Sequence, residues 1–236
     1  MVVNITFHKG WDDAMRWYKS SLGKKFLMAI TGLAMVGFVF AHMAGNLTIL
    51  WGADGLNAYA EHLRAFPPLL YAFRAVMVVA FLLHLYLGFS LYLENKAARP
   101  VAYFQKKNLR TTFSAENMIW TGILLGSFAI YHLLHFTLHA MNPEFNQMVD
   151  VAGRFDVYQM VVVSFQKFSV ALLYVAAMVV LLLHLRHGIQ SFFQSLGLTN
   201  DATLPLLTTG GRWVAGLVAI GFLVAPVLVY FGALNL

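Results

Sequence analysis

The chain has 236 residues, of which 60% are hydrophobic and only 11% charged, and its mean hydropathy is +0.69. This composition excludes an ordinary soluble domain and indicates an integral membrane protein. Because cysteine is absent, the chain itself can hold neither a thiolate-ligated iron–sulfur cluster nor a covalently attached c-type haem.

The predicted elements begin with a short segment over residues 1–21, where charged and aromatic residues alternate. This pattern favours an amphipathic segment on the cytoplasmic membrane surface over a cleavable leader. Five windows then lack Asp, Glu, Lys and Arg over a membrane-crossing length: 26–51, 75–93, 117–141, 168–185 and 213–236. They predict transmembrane helices at about 22–51, 69–95, 115–141, 157–194 and 209–235, in a single membrane domain over residues 1–236.

The basic residues are distributed unequally between the two ends of these helices. Of the 16 lysines and arginines, twelve fall on the side of the N-terminus and four on the other side. The positive-inside rule therefore predicts a cytoplasmic N-terminus and an external C-terminus in the cell's inner (cytoplasmic) membrane. The pI near 9.6 reflects this loop bias and does not require a nucleic-acid partner.

Each of the first four predicted helices contains a histidine, at His42, His84, His132 and His184. An imidazole in hydrocarbon needs a partner, and we predict that the partner is haem iron. A haem held by two helices needs ligands at equal depth. His42 and His132 lie roughly 25 and 24 Å along their helices from the cytoplasm. We call these the first pair, expected to hold an outer haem. His84 and His184 lie near the cytoplasmic ends and form the second pair, expected to hold an inner haem.

Two further histidines leave the first pair open to an alternative. His135 and His139 extend the helix face of His132, so either can replace it as the iron ligand. A single histidine on an apolar helix is also often a hydrogen-bonded packing residue. The presence of four at two matched depths favours ligation.

Glycines recur beside the histidines. Gly88 and Gly188 each follow a histidine by four residues in similar segments, and Gly45 follows His42 by three. A glycine there leaves room for a flat macrocycle against the helix backbone. Four other glycines are assigned to close helix packing: Gly32, Gly37, Gly122 and Gly126.

Two cations stand near the expected haems. Lys167 lies at the start of the apolar part of the fourth helix, and Arg186 follows His184 by two residues. Each either extends its charge to the membrane surface or pairs with a haem propionate.

At these residues the chain resembles the cytochrome b subunit of type B succinate:quinone oxidoreductases, the succinate dehydrogenase and fumarate reductase family. The resemblance covers nearly the whole chain. Its most specific parts are residues 40–46, the segment around His84, and residues 130–132 and 184–188. It implies an all-α membrane protein with a diheme four-helix core and one peripheral helix. It also implies the same pairing of helices and favours His132 over His135.

The resemblance further implies a role as an enzyme subunit. A flavoprotein would handle succinate and fumarate, an iron–sulfur subunit would carry electrons, and this chain would pass them through two haem b groups to a quinone. No succinate chemistry would reside in this chain. The basic cytoplasmic stretch 96–110 would dock the iron–sulfur subunit, although the positive-inside bias also explains its charge.

The family also suggests where a quinone binds, near the outer haem. Glu61, with His62 beside it, lies in the segment that joins the first two helices, and an acidic residue of this segment serves the quinone in the family. Asn46 and Trp51 lie just beyond His42 and are further candidates to line a headgroup pocket. Glu61 is otherwise a solvated carboxylate. Menaquinone is favoured over ubiquinone.

One position departs from part of the family. Some fumarate reductases have a glutamate two residues before the histidine of the fourth helix, and it serves a transmembrane proton path. This chain has Leu182 there. We therefore expect no such path.

Other functions predict other features. The cytochrome b subunit of a hydrogenase or a formate dehydrogenase would also bind haem but would have different soluble partners. A haem-free structural anchor would not absorb visible light. A proton-coupled transporter would need Asp or Glu within the spans, and none of the five windows has one.

Overall fold

The computed structural model describes residues 17–99, 101 and 111–236, and the long regular elements in these ranges are all helices. Five of them are long and apolar enough to cross a membrane. The prediction of an all-α, multi-pass membrane protein is therefore confirmed. In chain order the helices are α1 (Ser21–Asn46), α2 (Gly52–Arg64), α3 (Pro67–Ala97), α4 (Phe113–Glu116), α5 (Met118–His132), α6 (Val157–Phe165), α7 (Phe168–Ser195) and α8 (Thr203–Tyr230).

Four of the spanning helices form a closed ring. Helices α1 and α5 each pack against both α3 and α7. Across the diagonals of the ring, α1 with α5 and α3 with α7, the described residues show no packing of comparable extent. Helix α8 lies outside the ring along α7 and also contacts α1. Residues on opposite helices therefore face each other across the centre, as cofactor ligands do in helical bundles.

Small residues let α8 approach the ring closely. Ala215 and Val218 are fully buried, and Gly221 leaves the space that the Met43 side chain of α1 fills. Close packing of this kind replaces the hydrophobic effect between helices that lie in lipid. Many large apolar side chains on the outer faces are exposed, as expected for surfaces in contact with lipid.

The end of the ring where α1 stops is covered by short elements. A 3₁₀ turn, Leu47–Trp51, leads into α2, which packs against α6. Asn57 of α2 is 1% exposed; its amide nitrogen donates to Asp150 and Asp156, and its oxygen accepts from the backbone N–H of Tyr158. This fully bonded amide ties α2 to the loop before α6.

The opposite end is joined by polar side chains. Lys24 of α1 pairs with Glu94 of α3 and also donates to Ser90 at 2.9 Å. The predicted amphipathic segment 1–21 and the basic stretch 96–110 fall largely outside the described residues.

The prediction of one helix over 157–194 is wrong, because the structure has α6 and α7 with a break between them. Lys167 at the break has extended backbone, with ψ of 115°. Helix α6 packs against α2, α7 and α8, and most of its side chains are buried. A continuous helix would project away from α2 and leave those apolar side chains uncovered. Hydrophobicity alone did not reveal the break, since both halves are apolar.

The predicted helix over 115–141 is also shorter than expected. Helix α5 ends at His132 and continues as one π-helical turn, Leu133–Thr137. His139 then adopts a left-handed φ of 51°, which ends the helix. A π turn is frequent at functional sites, and here it contains His135.

The remaining boundaries differ by a few residues. The helix predicted at 22–51 is α1 plus the 3₁₀ turn, and the one predicted at 69–95 is two residues longer at each end. The helix predicted at 209–235 begins earlier, at Thr203, because the Asn200 side chain accepts hydrogen bonds from the N–H groups of Ala202 and Thr203. It stops at Tyr230, since Gly232 has a φ of 76°.

Candidate cofactor-binding site

The first pair meets across one diagonal of the ring. The ring centres of His42 on α1 and His132 on α5 are 5.8 Å apart, and the two rings are nearly perpendicular, at 80°. Two imidazole nitrogens that bind one metal atom from opposite sides, each at about 2 Å, lie about 4 Å apart. The separation of the ring centres is compatible with such a bridge.

The His42 side of this pair is aromatic. The Phe38 ring stacks on His42 with 5.3 Å between centres and 16° between planes, and Phe222 of α8 lies 5.8 Å away. These rings hold the imidazole by packing and surround it with low-dielectric material.

The His132 side combines aromatic packing, from Phe128 and Phe136, with polar contacts. The Tyr174 hydroxyl of α7 lies 3.3 Å from His132 Nδ1 and 3.1 Å from His135 Nδ1. His135 Nε2 lies 3.3 Å from the Ser164 hydroxyl, which itself donates to the Met160 carbonyl. Within the described residues, protein groups engage both nitrogens of His135 but only one nitrogen of His132. This arrangement favours His132 over His135 as a metal ligand.

His139 has a different environment. Its ring stacks on Phe155 with 5.5 Å between centres and 8° between planes, and its Nδ1 lies 2.7 Å from Asn146 Oδ1. These contacts fix the loop after α5, so the structure does not bring His139 into the first pair.

The second pair lies on the other diagonal, with His84 on α3 and His184 on α7. Each ring is held by a threonine of a neighbouring helix. Thr31 Oγ1 lies 3.2 Å from His84 Nδ1, and Thr121 Oγ1 lies 3.0 Å from His184 Nδ1.

A glycine follows each of these threonines and faces the same imidazole. A Cβ built on Gly32 would lie 3.3 Å from His84 Cε1, and one on Gly122 would lie 3.6 Å from His184 Cε1. These glycines, predicted to serve helix packing, therefore make room for the two rings. Gly126, by contrast, faces Leu85 of α3.

Sequence analysis missed both threonines, although a signal was present. The dipeptide Thr-Gly occurs in α1, α5 and α8. In α1 and α5 a histidine follows the threonine by eleven residues, His42 after Thr31 and His132 after Thr121. Eleven residues turn a helix about 20° past three full turns and advance it about 16 Å. Each threonine therefore shares a helix face with a histidine of the first pair, at a different depth.

The glycines predicted to face a macrocycle fit that role unequally. A Cβ on Gly45 would collide with the Tyr59 ring of α2, so the assignment of Gly45 to a macrocycle is wrong. A Cβ built on Gly88 would lie 3.3 Å from Met28 Cε, whereas one built on Gly188 would meet no atom of the described residues within 4 Å.

The two predicted propionate partners lie at opposite depths. Lys167 is exposed at the α6–α7 break. It interacts electrostatically with His135 and Glu144. Lys167 therefore lies at the end of the ring near the first pair. A hydrogen bond from Asn142 and the nearby Lys167 lower the pKa of Glu144. Arg186 is half-buried beside the second pair.

The four quinone candidates have different environments. Asn46 donates its amide to the His42 carbonyl at 2.7 Å, within its own helix. Trp51 is 77% exposed, and Glu61 and His62 are exposed on α2.

A comparison of the chain with protein-family models, curated proteins and solved structures finds no match. Its function therefore has to be inferred from its own residues.

Proposed function

We propose that this chain is a two-haem cytochrome b, the membrane anchor and quinone-reactive subunit of a succinate:quinone oxidoreductase. One haem b is held by His42 and His132 and the other by His84 and His184. The observation that carries the proposal is the facing of His42 and His132 across the diagonal of the ring. His84 and His184 lie on the other two helices of the ring, at another depth.

The donor set fits haem. Each pair offers two imidazoles from opposite helices, and a haem brings the remaining nitrogens in its own ring. When bound, haem b supplies one-electron oxidation and reduction. The chain's residues hold and orient the ring, exclude water through the aromatic and aliphatic lining, and set the local polarity.

Because the two histidine pairs lie at different depths, the chain can carry electrons across the membrane within a larger complex. Electrons from an iron–sulfur subunit, itself reduced by a flavoprotein, enter on the cytoplasmic side near the second pair. They leave to a quinone, preferentially menaquinone, near the first pair. Lys167 and Arg186 would pair with haem propionates at the first and second pair respectively.

The test is haem quantitation on the complex purified through a tag on this chain. Reduced-minus-oxidised spectra and pyridine haemochrome analysis should give about two b haems per chain, reducible by succinate. His42→Ala and His184→Ala should each lose one haem. His62→Ala is the matched control and should keep both, since His62 is exposed on α2.

Two outcomes contradict the proposal in different ways. A well-folded complex without haem would mean a structural anchor. Two haems without flavin and without reduction by succinate would mean a cytochrome b of another enzyme, such as a hydrogenase or a formate dehydrogenase.

A further inference from the structure

The hydrogen bonds of the second pair assign a role to two residues that are not themselves ligands. His84 and His184 each meet, through Nδ1, the hydroxyl of a threonine on the neighbouring helix. The following inference rests on the proposed haem function.

The direction of these hydrogen bonds follows from the threonine hydroxyl, which has one proton. Thr31 Oγ1 lies 2.9 Å from the Leu27 carbonyl and 3.1 Å from the Met28 carbonyl of its own helix. Thr121 Oγ1 has the same relation to Asn117 and Met118, at 3.1 Å to each carbonyl oxygen. A hydroxyl that donates to its helix offers only lone pairs to the imidazole.

The imidazole nitrogen that faces a lone pair must carry the proton. A neutral histidine with its proton on Nδ1 has an unprotonated Nε2, which is the nitrogen able to bind a metal. The glycine after each threonine lets the Cε1 edge of the ring rest against the helix, so the ring cannot easily rotate away.

We propose that Thr31 and Thr121 are positioning residues that accept the Nδ1 proton of His84 and His184 and thereby leave Nε2 of each free to bind the iron of one haem. Such a hydrogen bond makes the imidazole a stronger donor to iron and favours the oxidised state. Both threonines therefore lower the midpoint potential of the same haem. Thr31 does so although its own helix contributes His42 to the other haem.

The test compares Thr121→Val with Thr121→Ser, and Thr31→Val with Thr31→Ser, in the purified complex. Valine keeps the shape of threonine and removes the hydroxyl, whereas serine keeps the hydroxyl. The readouts are the midpoint potential of each haem and the low-spin electron paramagnetic resonance signal. The haem of the second pair is identified as the one that remains in His42→Ala.

Each valine variant should raise the midpoint potential of the second-pair haem, shift its resonance signal and leave the other haem unchanged. Serine should restore the wild-type values, and the double valine variant should shift the same haem further. If a single valine variant loses haem, the serine variant must still retain it.

Two haems with unchanged potentials in both valine variants would overturn this inference and leave the proposed function intact. A shift of the first-pair haem by Thr31→Val would also overturn it. Absence of haem from the wild-type complex would instead overturn the proposed function.

Discussion

The two histidine pairs differ in how their second ring nitrogens are held. The second pair is symmetric, because each histidine has a threonine followed by a glycine on the adjacent helix. The first pair is one-sided. His132 meets the Tyr174 hydroxyl, which it shares with His135, while His42 is packed between phenylalanines.

This difference has a chemical consequence. The threonines lie within the spans and bond to their own helix backbone, so the second pair is set by local helix geometry. The first pair is connected through His135 to Ser164 of α6, beside the α6–α7 break where Lys167 lies. On the proposed function, in which each pair holds one haem, we therefore expect the first-pair haem to respond to changes at this end of the ring and the second-pair haem to be insulated from them.

The largest effect that separates the two pairs is expected from Tyr174→Phe. The change removes the hydroxyl that bridges two ring nitrogens and leaves buried polar groups with one partner fewer, which costs about 1–3 kcal/mol. The first-pair haem should shift in midpoint potential and be lost at lower temperature, while the second-pair haem keeps its potential. Redox titration and thermal loss of the Soret band measure both effects.

Tyr131→Phe is the matched control. The Tyr131 ring packs 5.5 Å from His135 and 6.1 Å from Tyr174, so the substitution changes a nearby phenol without removing the bridging hydroxyl. It should leave both haems unchanged. Equal shifts of both haems in Tyr174→Phe would contradict the separation of the two pairs.

A smaller effect is expected within the second pair, where the symmetry is slightly broken. A Cβ on Gly32 would lie 3.3 Å from His84 Cε1, tighter than ordinary contact, whereas a Cβ on Gly122 would lie 3.6 Å from His184 Cε1. Gly32→Ala should therefore displace its imidazole and alter the resonance signal of the second-pair haem. Gly122→Ala should leave that signal close to wild type, and the reverse order would contradict the geometry.

Much of the framework was predictable from sequence because lipid imposes simple constraints. A charge-free run of sufficient length must be a helix, so all five spans were predicted. A fixed rise of about 1.5 Å per residue then predicts which histidines share a depth. His42 and His132, which were predicted to share a depth, meet across the ring in the structure.

The missing parts depend on contacts between distant residues. Lys167 is the only charged residue between 157 and 185, but a single lysine does not show that the helix breaks there. The break exists because α6 packs against α2. Gly45 was assigned to a cofactor, but its neighbour is Tyr59, fourteen residues further along the chain. The Thr-Gly repeat was visible, but its meaning required knowing which helix lies beside which.

The smallest effect is expected from Asp150→Asn in the loop beside α2. Burial alone would raise the pKa of the Asp150 carboxyl group. Hydrogen bonds from the Arg154 backbone and side chain and from Asn57 outweigh burial and hold this pKa below its ordinary value. A carboxylate whose pKa is lower in the folded than in the unfolded state stabilises the fold at pH values above its unfolded pKa of about 3.9. This stabilisation is lost as the pH falls through the pKa of the folded state. At pH 7 the variant should therefore be cleaved faster by protease in this loop, and the difference from wild type should vanish in acid.

Asp54→Asn is the control for this comparison, because Asp54 pairs with the same Arg154 but its side chain is 88% exposed. An exposed ion pair contributes little, so the loop of that variant should resist protease nearly as well as wild type. In Asp150→Asn the second-pair haem should keep its midpoint potential, since α2 and its loop lie at the other end of the ring. A shift of that haem would mean that the loop acts through the whole bundle, and that the two pairs are one coupled site.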